Sequence, residues 1–231
     1  SWDGRTVVWD IETGEELQSI QREGRPLHVT IHPDGNLVAV GGVEEGHLQL
    51  WNLESDEVID LFVGETNHMA PSFTSDGLRM VTSTDAGRIN VWDLETLEVI
   101  RSFEAHDDRI QDIHFNPDET LLITAGSDGV VKIWDFETDE LQQSFDLREI
   151  ENTFIFYVWD AQFLLDGEHV LIASQNEVIL WHWQSDEIVW RVDFLDDGVQ
   201  DIALSPDKQT FVVGLGLGDA QLRDSSTGQV I

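Results

Sequence analysis

The chain has 231 residues, of which 41% are hydrophobic and 25% charged, a composition that supports a packed core and excludes a disordered segment. Its charge is lopsided: 46 acidic against 12 basic residues give a net charge of −34, and such a surface repels phosphate backbones and anionic headgroups, so nucleic acid and membrane are excluded as partners. No cysteine is present, which removes disulfides, thiolate metal sites and a cysteine nucleophile.

No apolar run approaches the roughly 20 residues that would span a bilayer, and no basic-then-apolar leader is found at the start, so the cytoplasm is the expected compartment. The first predicted elements are two strands in residues 1–20, RTVVW ending at Trp9 and ELQSI after an acidic Thr-Gly turn. The same arrangement then recurs down the chain. HLQLWNLESDE, RINVWDLETLE, VVKIWDFETDE and EVILWHWQSDE place Trp51, Trp92, Trp134 and Trp181 in one register with Trp9, and AQLRDSSTGQ puts Arg223 there. The spacings are 42, 41, 42, 47 and 42 residues, close to the roughly 40–45 of a four-stranded repeat.

A second marker keeps the same period: HPDG from His32, TSDG from Thr74, NPDE from Asn116, LDG from Leu165 and SPDK from Ser205. Pro presets the φ of an early turn position, while Asp and Gly suit a later one, so these segments read as hairpin turns between strands rich in Val, Ile and Leu. Each unit therefore holds a strand a before this turn, b after it, c ending at the Trp, and d. Five units are complete by this count: 26–63, 68–103, 109–145, 158–193 and 199–231. Residues 1–20 supply only c and d of another. The chain is expected to be a section of a longer protein, forming an open or gapped ring.

These residues resemble the WD40-repeat family over essentially the whole chain, which implies an all-β propeller of four-stranded antiparallel blades. In the unit AHDDRIQDIHFNPDETLLITAGSDGVVKIWD, the resemblance assigns His106, Asp128 and Trp134 to the family's hydrogen-bonded structural tetrad. Ala125 stands at the usual Ser/Thr position there, leaving Thr124 or Ser127 as substitutes. His68, Ser83 or Thr82, Asp85 and Trp92 form the corresponding set one unit earlier, and Asp3 and Trp9 survive in the first. WQSDEIVWRVDF, with Trp190, is similar instead to quinoprotein-type repeats.

Chemistry is harder to find. There is no HExxH, Gly-rich phosphate loop or GxSxG, and no histidine spacing brings three metal ligands together. No catalytic residue, metal or cofactor is assigned. Register explains five tryptophans as core; Trp2 and Trp183 fall near opposite rims as candidate partner-binding residues, and Trp159 and Trp190 read as cover for the core. Counting back from each Pro-Asp turn, one strand-a position holds His28, Ala70, Asp112, Asp160 and Asp201. Strand a is innermost in the family, so Asp112, Asp160 and Asp201 would converge near the channel mouth and attract a basic peptide. The expected function is a non-enzymatic scaffold that presents loop surfaces to a protein or peptide, a basic one in the sharper form of that reading. The alternative is a catalytic or ligand-binding propeller with its site in the channel.

Overall fold

The computed structural model describes residues 3–21, 26–42, 47–62, 68–150 and 157–231, with the backbone alone at residues 47, 62, 68 and 69. The described residues are strands and turns with a single 3-10 turn, Leu147–Glu149. They fall into two compact units, Ser1–Glu104 and Ala105–Ile231.

The first unit contains three antiparallel sheets. β1 (Arg5–Trp9) pairs with β2 (Glu16–Gln21); β3 (Pro26–Ile31), β4 (Leu37–Gly42), β5 (His47–Asn52) and β6 (Val58–Phe62) pair in order; so do β7 (His68–Phe73), β8 (Arg79–Thr84), β9 (Arg88–Asp93) and β10 (Glu98–Glu104). In the second unit, β11 (Ile110–Phe115), β12 (Leu121–Gly126), β13 (Val130–Asp135) and β14 (Leu141–Asp146) form one sheet, and β15 (Val158–Phe163), β16 (His169–Ser174), β17 (Glu177–His182) and β18 (Glu187–Asp193) the next. The last sheet has β19 (Val199–Leu204), β20 (Thr210–Leu215) and β21 (Ala220–Asp224). Its outer edge carries only an isolated bridge between Arg223 and Val230, so the expected fourth strand of this unit is reduced to that bridge.

Burial explains why the strands differ in composition. The second strand of each full sheet, such as Leu121–Gly126, is buried at nearly every position, and it reads as the continuous apolar run of a strand buried on both faces. The fourth strand, such as Glu98–Glu104, alternates exposed and half-buried residues. The cores lie between successive sheets: Ala39, Leu48, Leu50, Phe73, Met80 and Trp92 form one, and Ile123, Ile133, Ala161, Ile172 and Trp181 another. Each fully buried large side chain contributes about 1.5–3 kcal/mol.

Trp9 departs from the expected core and tetrad position: it is 56% exposed. β1 pairs with β2 alone among the described strands, so no inner strands of its own sheet cover it. Leu27, Val29 and Ile31 of β3 are exposed too, and a groove of about 490 Å³ runs between β1 and β3 beside Trp9, Val7, Leu27 and Val29.

The turns after the Trp register share one backbone device. The residue five places on has positive φ in all six units: Gly14, Asp56, Leu97, Asp139, Asp186 and Gly228. The turn is held from its start by a side chain, as where Asp135 Oδ1 accepts the amides of Glu137 (3.1 Å) and Thr138 (2.8 Å). Asp and Asn bond their own backbone in this way and so specify turns.

Candidate functional site

In the sheet β11–β14 the side chains of four residues form a chain of hydrogen bonds. His106 Nδ1 lies 3.0 Å from Asp128 Oδ1, His106 Nε2 lies 2.7 Å from Thr124 Oγ1, and Trp134 Nε1 donates to the same hydroxyl oxygen at 3.1 Å. Burial would raise the Asp128 carboxyl, but His106 and the amides of Val130 and Asp107 hold it below its ordinary value. Gly126 makes room for the pair: a Cβ there would collide with both Asp128 Oδ1 and His106 Nδ1. Thr124 fills the place for which Ala125 has no hydroxyl, and Ser127 instead accepts from Gln111 Nε2 at 2.8 Å.

One sheet earlier, Trp92 Nε1 donates to Thr82 Oγ1 at 3.0 Å. Ser83 is thus not the residue that receives the indole. Trp92 pairs with Met80, and side chains alternate along a strand, so Thr82 shares the face of Met80 while Ser83 takes the opposite one. Asp85 is half-buried at the following turn, and the side chain of His68 lies outside the described residues. In the first sheet Asp3 Oδ1 accepts the amide of Arg5 at 3.0 Å, a local turn contact rather than part of a set with the exposed Trp9.

Two other tryptophans solve the same problem differently. Val40 and Ile172 occupy the position of Thr82 and Thr124 in their sheets, and neither offers an oxygen. There Trp51 Nε1 donates to Asp56 Oδ1 (3.1 Å) and Trp181 Nε1 to Asp186 Oδ1 (3.0 Å), each at the positive-φ turn position.

Of the two candidate rim tryptophans, Trp2 lies outside the described residues. Trp183 is half-buried against the core between the two full sheets of its unit, and its indole donates to the Gly167 carbonyl at 2.8 Å. It covers the core, which corrects its reading as an exposed binding anchor. Trp190 does the same farther along: it stacks at 6.0 Å on Phe211 and donates to the Ser225 carbonyl at 3.2 Å. Beside it Arg223, at the tryptophan position, reaches the Gly228 carbonyl at 2.5 Å and lies over the Phe194 ring.

The strand-a row of the second unit converges in part. A register shift falls just before Asp112, Asp160 and Asp201 in their strand pairings, and such a bulge re-aims the next side chain. Asp112 Oδ1 accepts the amide of Ile113 (2.7 Å), and Asp201 Oδ1 that of Ile202 (2.9 Å). Asp160, expected to face a partner, is only 2% exposed, whereas Asp112 is half-buried and Asp201 exposed. The reason is His114, which stands between the first two: Nε2 is 3.4 Å from Asp112 Oδ2 and 3.2 Å from Asp160 Oδ1.

Burial would lower the His114 pKa, but the two carboxylates raise it well above the usual histidine value. Burial pushes Asp160 up, with Asp112 adding and His114 opposing, and burial and then Asp160 raise Asp201. The ligand atoms of Asp112, His114 and Asp160 all lie within 4.8 Å of one another. The sequence reading that no spacing brings three metal ligands together missed this group, because it forms across two sheets. The available signal was His114 two residues after Asp112, on the same face of β11.

Four-stranded antiparallel sheets repeat with a buried tryptophan at the end of each third strand and a His-Asp-Thr-Trp network in one of them, the arrangement of β-propeller blades. Residues 97–135 match the family model described as WD domain, G-beta repeat. No curated protein matches the chain. Folds of this kind commonly serve as protein-interaction scaffolds.

Proposed function

We propose that the chain is a non-enzymatic binding surface for a protein or peptide, and that the segment it takes is basic. The observation that carries this reading is the strand-a row of the second unit: exposed Asp201 and half-buried Asp112 lie close enough to Asp160 for their charges to interact. With a net charge of −34 on the chain, the surrounding field draws cations and repels phosphates. A Lys or Arg side chain meeting Asp201 would relieve its repulsion with Asp160, whose carboxyl burial has already made costly to ionise.

The test is titration of a fluorescent Lys/Arg-rich peptide of about ten residues, in EDTA, with a neutral peptide of equal length as control. Affinity for the basic peptide is expected to fall at least about tenfold as the Debye length shrinks from about 10 Å at 0.1 M salt to about 3 Å at 1 M. D112N and D201N together are expected to weaken it at low salt. Equal affinity for both peptides, or indifference to salt and to the double variant, would overturn the reading.

A further inference from the structure

We propose that Asp112, His114 and Asp160 form a binding site for a divalent transition-metal ion of the Zn²⁺ class, linking strands β11 and β15 of successive sheets. It shares Asp112 and Asp160 with the peptide reading but does not rest on it.

Geometry comes first. Zinc bonds to imidazole nitrogen and carboxylate oxygen are about 2.0–2.2 Å long, so two ligand atoms at the corners of a tetrahedron around the ion lie about 3.4 Å apart. His114 Nε2 stands 3.4 Å from Asp112 Oδ2 and 3.2 Å from Asp160 Oδ1. These two separations fit atoms that share a metal, and all three ligand atoms lie within 4.8 Å of one another.

The second observation is that the inner atoms lack hydrogen bonds. Asp160 Oδ1 and His114 Nε2 are both shut off from solvent, and neither has a hydrogen-bond partner among the described residues. His114 Nε2 can carry one N–H, yet two carboxylate oxygens face it and it is aligned as a donor to neither. A buried polar atom left in this way is costly, and a cation placed between the three ligand atoms would satisfy both of these at once.

The outer atoms of the same carboxylates are already held. Gln162 Nε2 donates to Asp160 Oδ2 at 2.6 Å, and the Ile113 amide donates to Asp112 Oδ1 at 2.7 Å. Such outer contacts orient metal ligands and are part of a metal site's construction. Here they leave Asp160 Oδ1 and Asp112 Oδ2 toward the imidazole. Lys208, the cation that interacts with Asp160 electrostatically, donates its ammonium to the Phe163 carbonyl at 2.6 Å, so it is anchored on backbone outside the three-atom group.

The ligand set also selects the ion. Ca²⁺ and Mg²⁺ take oxygen ligands, and Ca²⁺ needs six to eight of them, whereas one imidazole and two carboxylates suit Zn²⁺, Mn²⁺, Fe²⁺ or Co²⁺. Three protein ligands leave at least one position open to water. Bound metal would join strands of two sheets and so stabilise the fold in proportion to its occupancy.

The experiment uses the whole 231-residue chain, stripped with EDTA and dialysed into excess MgCl₂, which saturates diffuse binding by surface carboxylates. Calorimetric titration with ZnCl₂ is expected to give one ion per chain at micromolar affinity or tighter, with a rise in melting temperature. Co²⁺ is expected to give the intense visible absorption of a low-coordinate site, a readout that needs no variant. H114Q and D160N are each expected to weaken Zn²⁺ binding at least about tenfold, with folding checked by circular dichroism, while D219N, at an exposed turn, leaves it in place. The peptide titration runs in EDTA, so its failure and the failure of the metal site are separate results. Zinc binding that vanishes in excess Mg²⁺, that H114Q does not weaken, or that gives only the pale spectrum of hydrated Co²⁺ would overturn the proposal.

Discussion

An indole taken out of water must hand its N–H to an acceptor, since an unsatisfied buried donor costs about 1–3 kcal/mol. Four buried tryptophans meet this demand in two ways, through a strand hydroxyl at Thr82 and Thr124 or a turn carboxylate at Asp56 and Asp186. Thr124 Oγ1 also lies 2.7 Å from His106 Nε2, so its hydroxyl joins the indole to the His106–Asp128 pair. Thr124→Val keeps the shape and removes the oxygen. The expected loss is about 1–3 kcal/mol in denaturant unfolding, with Thr124→Ser near wild type. A Thr124→Val variant of unchanged stability would mean that Asp139, at the turn position of this sheet, has taken over the indole as Asp56 and Asp186 do in theirs. The tryptophan and its His and Asp partners were legible in the sequence because they recur at a fixed period. The hydroxyl was legible only as a choice between neighbours, and strand alternation decides it: Trp134 pairs with Leu122, so Thr124, two residues on, shares that face and Ala125 does not.

At the scale of the strand, burial on both faces is the rule that sets composition and also the source of a strongly perturbed carboxyl. Glu177 opens β17 and is 1% exposed, in contact with Arg191 of the paired strand β18. Burial pushes its pKa from 4.5 up to about 7, against the pull of Arg191 and with the help of Asp193. The unfolded chain releases this proton near 4.5 and the folded chain near 7, so the folded form binds more protons between those values. The stability associated with the protonated group is present in full below pH 4.5 and is lost as pH rises toward 7. Glu177→Gln cannot ionise, and its melting temperature is expected to fall less steeply than that of wild type from pH 5 to about 7.5. Parallel curves over that window would show that Arg191 fully compensates the carboxylate. Strand positions themselves were readable from the turn markers, because segments such as HPDG, TSDG and SPDK fix the a–b hairpins and an Asp or Asn after the Trp register, in five of six repeats, fixes the next turn. What escaped was contact between sheets. Asp160 lies far from His114 in sequence, and only the packing of β15 beside β11, with a bulge before each aspartate, brings them together.

Charge acts over the whole molecule. Twelve basic residues can pair with at most a quarter or so of 46 acidic ones, and the ion pairs that form are mostly exposed: Arg5 with Glu16, Arg88 with Glu104, Arg148 with Asp146. Exposed pairs contribute about 0–1 kcal/mol each, whereas unpaired like charges repel throughout the compact state and less in the extended chain. Hydrogen bonding keeps many of the aspartates ionised even in mild acid. The turn residues Asp10, Asp93, Asp118 and Asp224 have pKa values below the ordinary one, held there chiefly by nearby backbone amides and hydroxyls. Salt screens attraction and repulsion alike, so its net effect reports which is larger. With −34 on the chain, repulsion exceeds attraction, and folding stability is expected to rise as NaCl goes from about 0.1 to about 1 M and the Debye length falls from about 10 to about 3 Å. The check is a thermal melt series in NaCl at pH 8 in EDTA, with sucrose at matched osmolality as a control for general exclusion effects. A melting temperature that stays flat or falls with NaCl would show that the few ion pairs outweigh the field of the unpaired carboxylates.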